Sequence, residues 1–143
     1  MNKSLKILIA ITAVGLIAAY LVYELYYNKP HPDYEEKMAV YTLSAEELYH
    51  QFETNTDSAN NKFTGKIIRI TGKMDKVEVT DSLTIGVIAL STGLFGDQGI
   101  RCTMLPKYAE KAQTLKTPKK VRIKGLCSGY NDTDVILEHC SFK

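Results

Sequence analysis

Residues 66–80, KIIRITGKMDKVEVT, decide the fold class. Ile68, Ile70 and Met74 share one parity, and Val77 and Val79 take the other. Side chains alternate across a strand with a period of two, so a one-residue change of parity within a continuous strand pattern marks a β-bulge. Gly72 stands beside the shift and predicts a bend at that point.

Downstream, Thr80-Asp81-Ser82 predicts a turn, and Leu83, Ile85, Val87 and Ala89 a second strand. Ser91–Gly99, STGLFGDQG, reads as a loop with three glycines, followed by a third strand from Ile100 to Leu105. Pro106 opens a short helix with Tyr108, Ala112 and Leu115 on one face, and Thr117-Pro118 stops it. Val121, Ile123 and Cys127 share a parity in a fourth strand, Asn131–Asp134 turn the chain, and Val135–Phe142 form the fifth.

Upstream, Leu43-Ser44-Ala45-Glu46-Glu47-Leu48 is a capping box with a hydrophobic staple, which starts a helix carrying Ala45, Leu48, Tyr49 and Phe52 on one face. The polar cluster Glu53–Asn61 loosens or ends it. The order of three strands, a helix and two strands predicts a mainly β domain, a five-stranded OB-fold β-barrel over residues 42–143, with an extra N-terminal helix.

The segment from Tyr41 to Cys140, with LSAEELYHQFE, GKIIRITGKM, GIRCTM, VRIKGLCSGY and DVILEHC, resembles the tRNA_anti-like OB-fold family, found mainly in Bacteroidetes. The similarity takes in the placement of all three cysteines. The resemblance implies an OB-type fold and a bacterial source, and it assigns no activity or ligand.

Before the domain, Ile7–Tyr23 carries no charge, and Leu25, Tyr26 and Tyr27 extend the apolar run past Glu24. A helix over residues 7–27 would be about 31 Å long, near the hydrocarbon thickness of a bilayer. It lacks a polar face wide enough for a soluble core helix. Lys3 and Lys6 would also suit the basic region of a signal peptide, and Ala18-Ala19 supply small residues. The run nevertheless outlasts the roughly 7–15 apolar residues of a cleaved signal, no clean small-x-small site follows, and Tyr20, Tyr23, Tyr26 and Tyr27 form an interfacial belt. An uncleaved signal-anchor is expected. Lys3, Lys6 and the amino terminus against Lys29 place residues 1–6 in the cytoplasm and the domain in the periplasm, single-pass at the bacterial inner membrane. Residues 28–41, with Pro30 and Pro32, read as a tether.

The formal net charge of +2 is too small to force a polyanion as partner, although a local patch can still form. Arg69, Lys73, Arg101, Arg122 and Lys124 are the candidate ligand-binding residues. They alternate with the apolar Ile68, Ile70, Val121 and Ile123, so they would project to the solvent side and line a stripe if they projected together. Solvated sheet surface is the plainer reading, since no strand offers an aromatic pair for stacking bases.

None of Cys102, Cys127 and Cys140 forms the CxxC pairing of structural zinc sites, and His31, His50 and His139 lack a metal-binding or acid–base spacing. No metal, cofactor or catalysis is expected. Cys127 and Cys140 lie at similar distances from the Asn131–Asp134 turn and are the favoured disulfide; Cys102 is a rival partner for Cys140, and three buried thiols are the alternative. Gly93, Gly96 and Gly99 do not lie between a strand and a helix, as a phosphate-binding loop requires.

These readings converge on a membrane-anchored binding module of the cell envelope. It would meet lipid through residues 7–27 and a peptide, glycan or envelope protein through its strand face and glycine-rich loop. A binder of single-stranded nucleic acid or another anionic polymer is the alternative, and a structural subunit of a membrane complex is a third.

Overall fold

The computed structural model describes residues 2–27 and 33–143. The chain divides into two units, Met1–Pro32 and Asp33–Lys143. The first is helix α1, Lys3–Tyr26, none of whose residues is buried. Its most apolar window of 18 residues has a mean hydropathy of 2.4, so it is long and apolar enough to cross a membrane. Thr12 returns its hydroxyl to the Leu8 carbonyl at 2.9 Å, satisfying the donor within the helix.

The second unit is one sheet with three helices. Its elements are β1 (Tyr41–Ser44), α2 (Ala45–Thr54), α3 (Thr56–Phe63), β2 (Ile67–Met74), β3 (Lys76–Thr80), β4 (Leu83–Gly93), β5 (Gly96–Met104), α4 (Pro106–Thr114), β6 (Lys119–Tyr130) and β7 (Val135–Phe142). The strand order is β1-β2-β6-β7-β5-β4-β3. Seven strands replace the five expected, and no ladder joins the two ends of that order. The expected first strand is two elements, β2 and β3, separated by Asp75, and the short β1 adds to the edge of β2 in parallel.

The break therefore falls at Asp75 and not at Gly72. Ile68, Ile70, Gly72 and Met74 keep one buried parity through β2. Gly72 is instead a point of close approach: a Cβ there would stand 2.7 Å from the Ala45 Cβ. Asp75 donates its amide to the Val87 carbonyl at 2.9 Å, and its carboxylate accepts from the Ala89 amide at 2.9 Å. The chain thus leaves its ladder with β6 and joins its ladder with β4 in a single residue.

Two further expectations change. In β4 the core-facing parity is Thr84, Gly86 and Ile88, the reverse of the Leu83, Ile85 series, because Gly86 makes room for the Met74 side chain. Ser91–Gly99 is no loose loop, since β4 and β5 stay paired out to Gly93 and Gly96 and only Leu94 and Phe95 turn. The N-cap half of the capping box forms, with the Ser44 hydroxyl accepting from the Glu47 amide at 3.1 Å, while the Glu47 carboxylate accepts from Gln51. Beyond it the polar cluster holds a second helix, α3, capped by Asn55 and anchored by Ala59 and Phe63.

The core collects Leu48 and Phe52 of α2, Phe63 of α3, Ile68, Ile70 and Met74 of β2, and Ile88, Ile100, Ile123 and Leu137 of the remaining strands. Gly99 is tightly confined, since a Cβ there would meet the Ile88 carbonyl oxygen at 2.0 Å. Neither partner strand can yield, so Gly99→Ala is expected to destabilise the domain by about 1–3 kcal/mol. Urea unfolding followed by far-ultraviolet circular dichroism would show it as a lower midpoint with little change of slope.

Candidate anion-binding face

Strands β2 and β6 run antiparallel with Arg69 opposite Lys124, Thr71 opposite Arg122 and Lys73 opposite Lys120. Their neighbours Ile68, Ile70, Val121 and Ile123 are buried, so these positions share the outer face of the pair. Five cations therefore occupy six facing positions. Lys120 was missed at the sequence level, although its alternation with Arg122 and Lys124 in KVRIK signals it. Lys143 extends the group, because its amide bonds the Arg122 carbonyl at 2.9 Å.

The five residues read from the sequence do not act alike. Arg101 lies apart from this face: its Nε donates to Asp134 at 2.9 Å and its Nη1 to Glu78 at 2.7 Å. Lys76 also meets Glu78 at 3.1 Å, and Asp134 accepts from the Gly99 amide at 2.9 Å. This network clamps β3, β5 and the start of β7, and balances the Arg101 charge between two carboxylates. Lys124 is buried rather than solvated. Its ammonium donates to the carbonyls of Glu35 and, at 2.7 Å, Lys37.

That bond fixes residues 33–40 on the domain, where a tether was expected; Pro30 and Pro32 lie outside the described residues. Glu35 completes the attachment through Lys107 and the Tyr108 hydroxyl, and the Tyr34 ring stacks on His139 at 4.6 Å. Composition marks this segment as polar and proline-bearing, but its partners lie from 73 to 105 residues away in sequence, beyond any local pattern.

Arg69, Lys73, Lys120 and Arg122 remain for a ligand. Lys73 and Arg122 are exposed and Arg69 is half-buried. Lys73 reaches Asp75 at 3.3 Å from an exposed position. The buried Arg69 Nε has no hydrogen-bond partner among the described residues. Burial, followed by the charges of Lys143 and Arg69, holds the Lys124 ammonium below the ordinary lysine value. The face is thus electrostatically unbalanced toward positive charge. Beside it lies an open groove of about 440 Å³ lined by Ser44, Glu46, Thr71, Gly72, Lys73, Pro118 and Lys120.

The thiols also depart from expectation. Register shifts after Lys124 and Cys127 place Cys127 opposite Leu137, so Cys127 and Cys140 do not face each other. All three cysteines are free and buried. Among the described residues no group of three His, Cys, Asp or Glu side chains is arranged to hold a metal ion.

The clamp around Arg101 carries a pH signature. Arg101, and after it Lys76, lowers the Glu78 carboxyl below its ordinary value of 4.5. A depressed carboxylate stabilises the fold above its unfolded value, and that contribution disappears as the pH falls through the folded one. Thermal midpoints measured from pH 7 to pH 3 should fall less steeply in Glu78→Gln than in the parent chain, with a steady gap above pH 4.5 that closes as the pH falls below it.

The tRNA_anti-like family model matches residues 1–141. A crystal structure from Klebsiella pneumoniae subsp. pneumoniae MGH 78578, described as a "putative nucleic acid-binding lipoprotein", is similar over 80% of this chain and 99% of its own, with a TM-score of 0.55 and 14% identity. That likeness concerns the fold. No curated protein matches.

Proposed function

The chain belongs to the tRNA_anti-like family, and from that premise we propose that it is a membrane-anchored OB-type binding module that holds an anionic polymer against the outer face of β2 and β6. In this reading β2 and β3 act as one strand bent at Asp75, and the sheet curls into an OB-type barrel. Helix α1 stays uncleaved as a signal-anchor, and the basic residues at its N-terminal end hold the domain outside the inner membrane.

One observation carries the assignment: the β2–β6 register gathers Arg69, Lys73, Lys120 and Arg122 on one surface, around a buried Lys124 whose pKa is lowered by burial and, after it, by Lys143 and Arg69. An anion would relieve the repulsion between the facing Arg69 and Lys124 and meet the Arg69 Nε, which has no partner among the described residues. Thr71 is the remaining outward position of the six, so the face offers charge without aromatic platforms. Such a surface grips a charged backbone and does not read bases. The description of the Klebsiella neighbour makes nucleic acid the first polyanion to try. Catalysis has no place in the proposal.

A salt titration of fluorescence anisotropy with a labelled single-stranded oligonucleotide tests it. Arg69→Ala/Arg122→Ala should weaken binding at every salt concentration and make the logarithmic salt slope shallower by about 1–2, as expected for removing one or two phosphate contacts. Arg101→Gln should leave that slope unchanged, because its guanidinium is already occupied. Absence of binding at low salt to both the oligonucleotide and polyglutamate would defeat the assignment; binding to polyglutamate alone would move the ligand from phosphate to carboxylate.

A second reading is favoured by the β4–β5 turn, where Leu94 and Phe95 are 98% and 97% exposed. Two bare apolar side chains at a hairpin tip fit a protein partner of the envelope, and this contact would survive high salt.

A further inference from the structure

The cysteines show a pairing that neither the anionic face nor the family accounts for. Cys102 on β5 and Cys140 on β7 are both fully buried, on adjacent parallel strands. The ladder runs in step from Ile100 opposite Val135 to Cys102 opposite Leu137, and then shifts to Met104 opposite Cys140. Three residues of β7 thus answer two of β5. His139, at a φ of 51°, takes the turn that this requires.

The shift has a consequence for the side chains. Leu137 and Cys140, three apart, are both buried, where strict alternation would put Cys140 on the outer side. Cys140 then packs in the same core as Cys102, and burial, followed by the nearby Cys102 thiol, raises its pKa well above the ordinary value. Room for its sulfur comes from β6, where a Cβ at Gly125 would lie 2.6 Å from the Cys140 Sγ. Cys127 is separate, its thiol facing the Gly129 amide.

We infer that Cys102 and Cys140 form a disulfide that fastens β5 to β7 when the chain folds in the presence of a disulfide oxidant. The reaction is thiol–disulfide exchange: the two thiols and one oxidant disulfide give the Cys102–Cys140 bond and two reduced oxidant thiols. A thiolate of one cysteine attacks the oxidant, and the second thiolate displaces it from the mixed disulfide. Both sulfurs are inaccessible in the folded domain, so the bond forms while β5 and β7 are still assembling. A domain delivered across the membrane unfolded would meet its oxidant at that stage. The inference does not rest on the anionic-polymer reading, and either can fail alone.

The test uses the full chain in detergent, unfolded and reduced, and then refolded in a mixture of oxidised and reduced glutathione. Free thiols counted in denaturant should fall from three to one. Peptide mapping without reduction should join the peptide of Cys102 to that of Cys140, and Cys127→Ala should refold to the same linked product with no free thiol. Three free thiols after refolding, or a principal linkage involving Cys127, would overturn the inference.

Discussion

The domain depends on the chain crossing from one hydrogen-bonded ladder to another within a single residue. Asp75 makes this possible because its backbone and its side chain are both used. The amide bonds Val87, the carboxylate bonds the Ala89 amide, and the two contacts fix the bend against β4 from either side of Ile88. An aspartate is suited to the task because its carboxylate accepts the strand amide that the departing backbone leaves without a partner. Once the bend is held, β2 faces β6 while β3 faces β4, and the intervening strands β7 and β5 must curve around the apolar side chains between them. Helices α2 and α3 contribute Phe52 and Phe63 to that interior, and the missing side chain of Gly72 lets Ala45 press onto β2.

Much of this framework was legible in the sequence because its causes are local. The Ser44 cap, the Asn131 turn and the alternation in β6 each rest on residues a few positions apart. The bend was visible as a change of parity, but its position was not. A parity shift says that one residue is out of step without saying which, and a glycine inside a strand often marks a bulge. Gly72 in fact serves close packing, while Asp75 makes the break. The parity of β4 was misread for a related reason: the inward positions include Thr84 and Gly86, which carry no hydrophobic signal, and their fit depends on Met74 of another strand.

The candidate site was legible only in its residue types. Strand alternation placed Arg69, Lys73, Arg122 and Lys124 outward, yet which cations remain free is decided by distant partners. Arg101 is claimed by Asp134, 33 positions later, and Lys124 by the carbonyl of Lys37, 87 positions earlier. Neither pairing leaves a mark in any short window. The cysteines repeat the lesson, since a bulge of one residue exchanges the partner that hairpin symmetry assigns to Cys140.

What separates a charged surface from a site is whether the charges are balanced by the protein itself. On the side of β3 and β5 they are: Arg101 lies between two carboxylates, and Lys76 between Glu78 and Asp97. On the side of β2 and β6, among the described residues, only Lys73 meets a carboxylate, that of Asp75. Arg69 faces Lys124 across the ladder, an arrangement that costs stability when like charges stand opposite each other. Lys124 spends its ammonium on neutral carbonyls, which satisfy its protons without cancelling its charge. Glu35 and Asp33 moderate the potential, but burial and the neighbouring cations outweigh them in setting the Lys124 shift. A fold that neutralises one face and leaves the other in net repulsion has its local electrostatics in conflict with its stability, and such conflicts belong to functional surfaces. In the function proposed for this face, an anion lying across β2 and β6 is the complement that resolves this conflict.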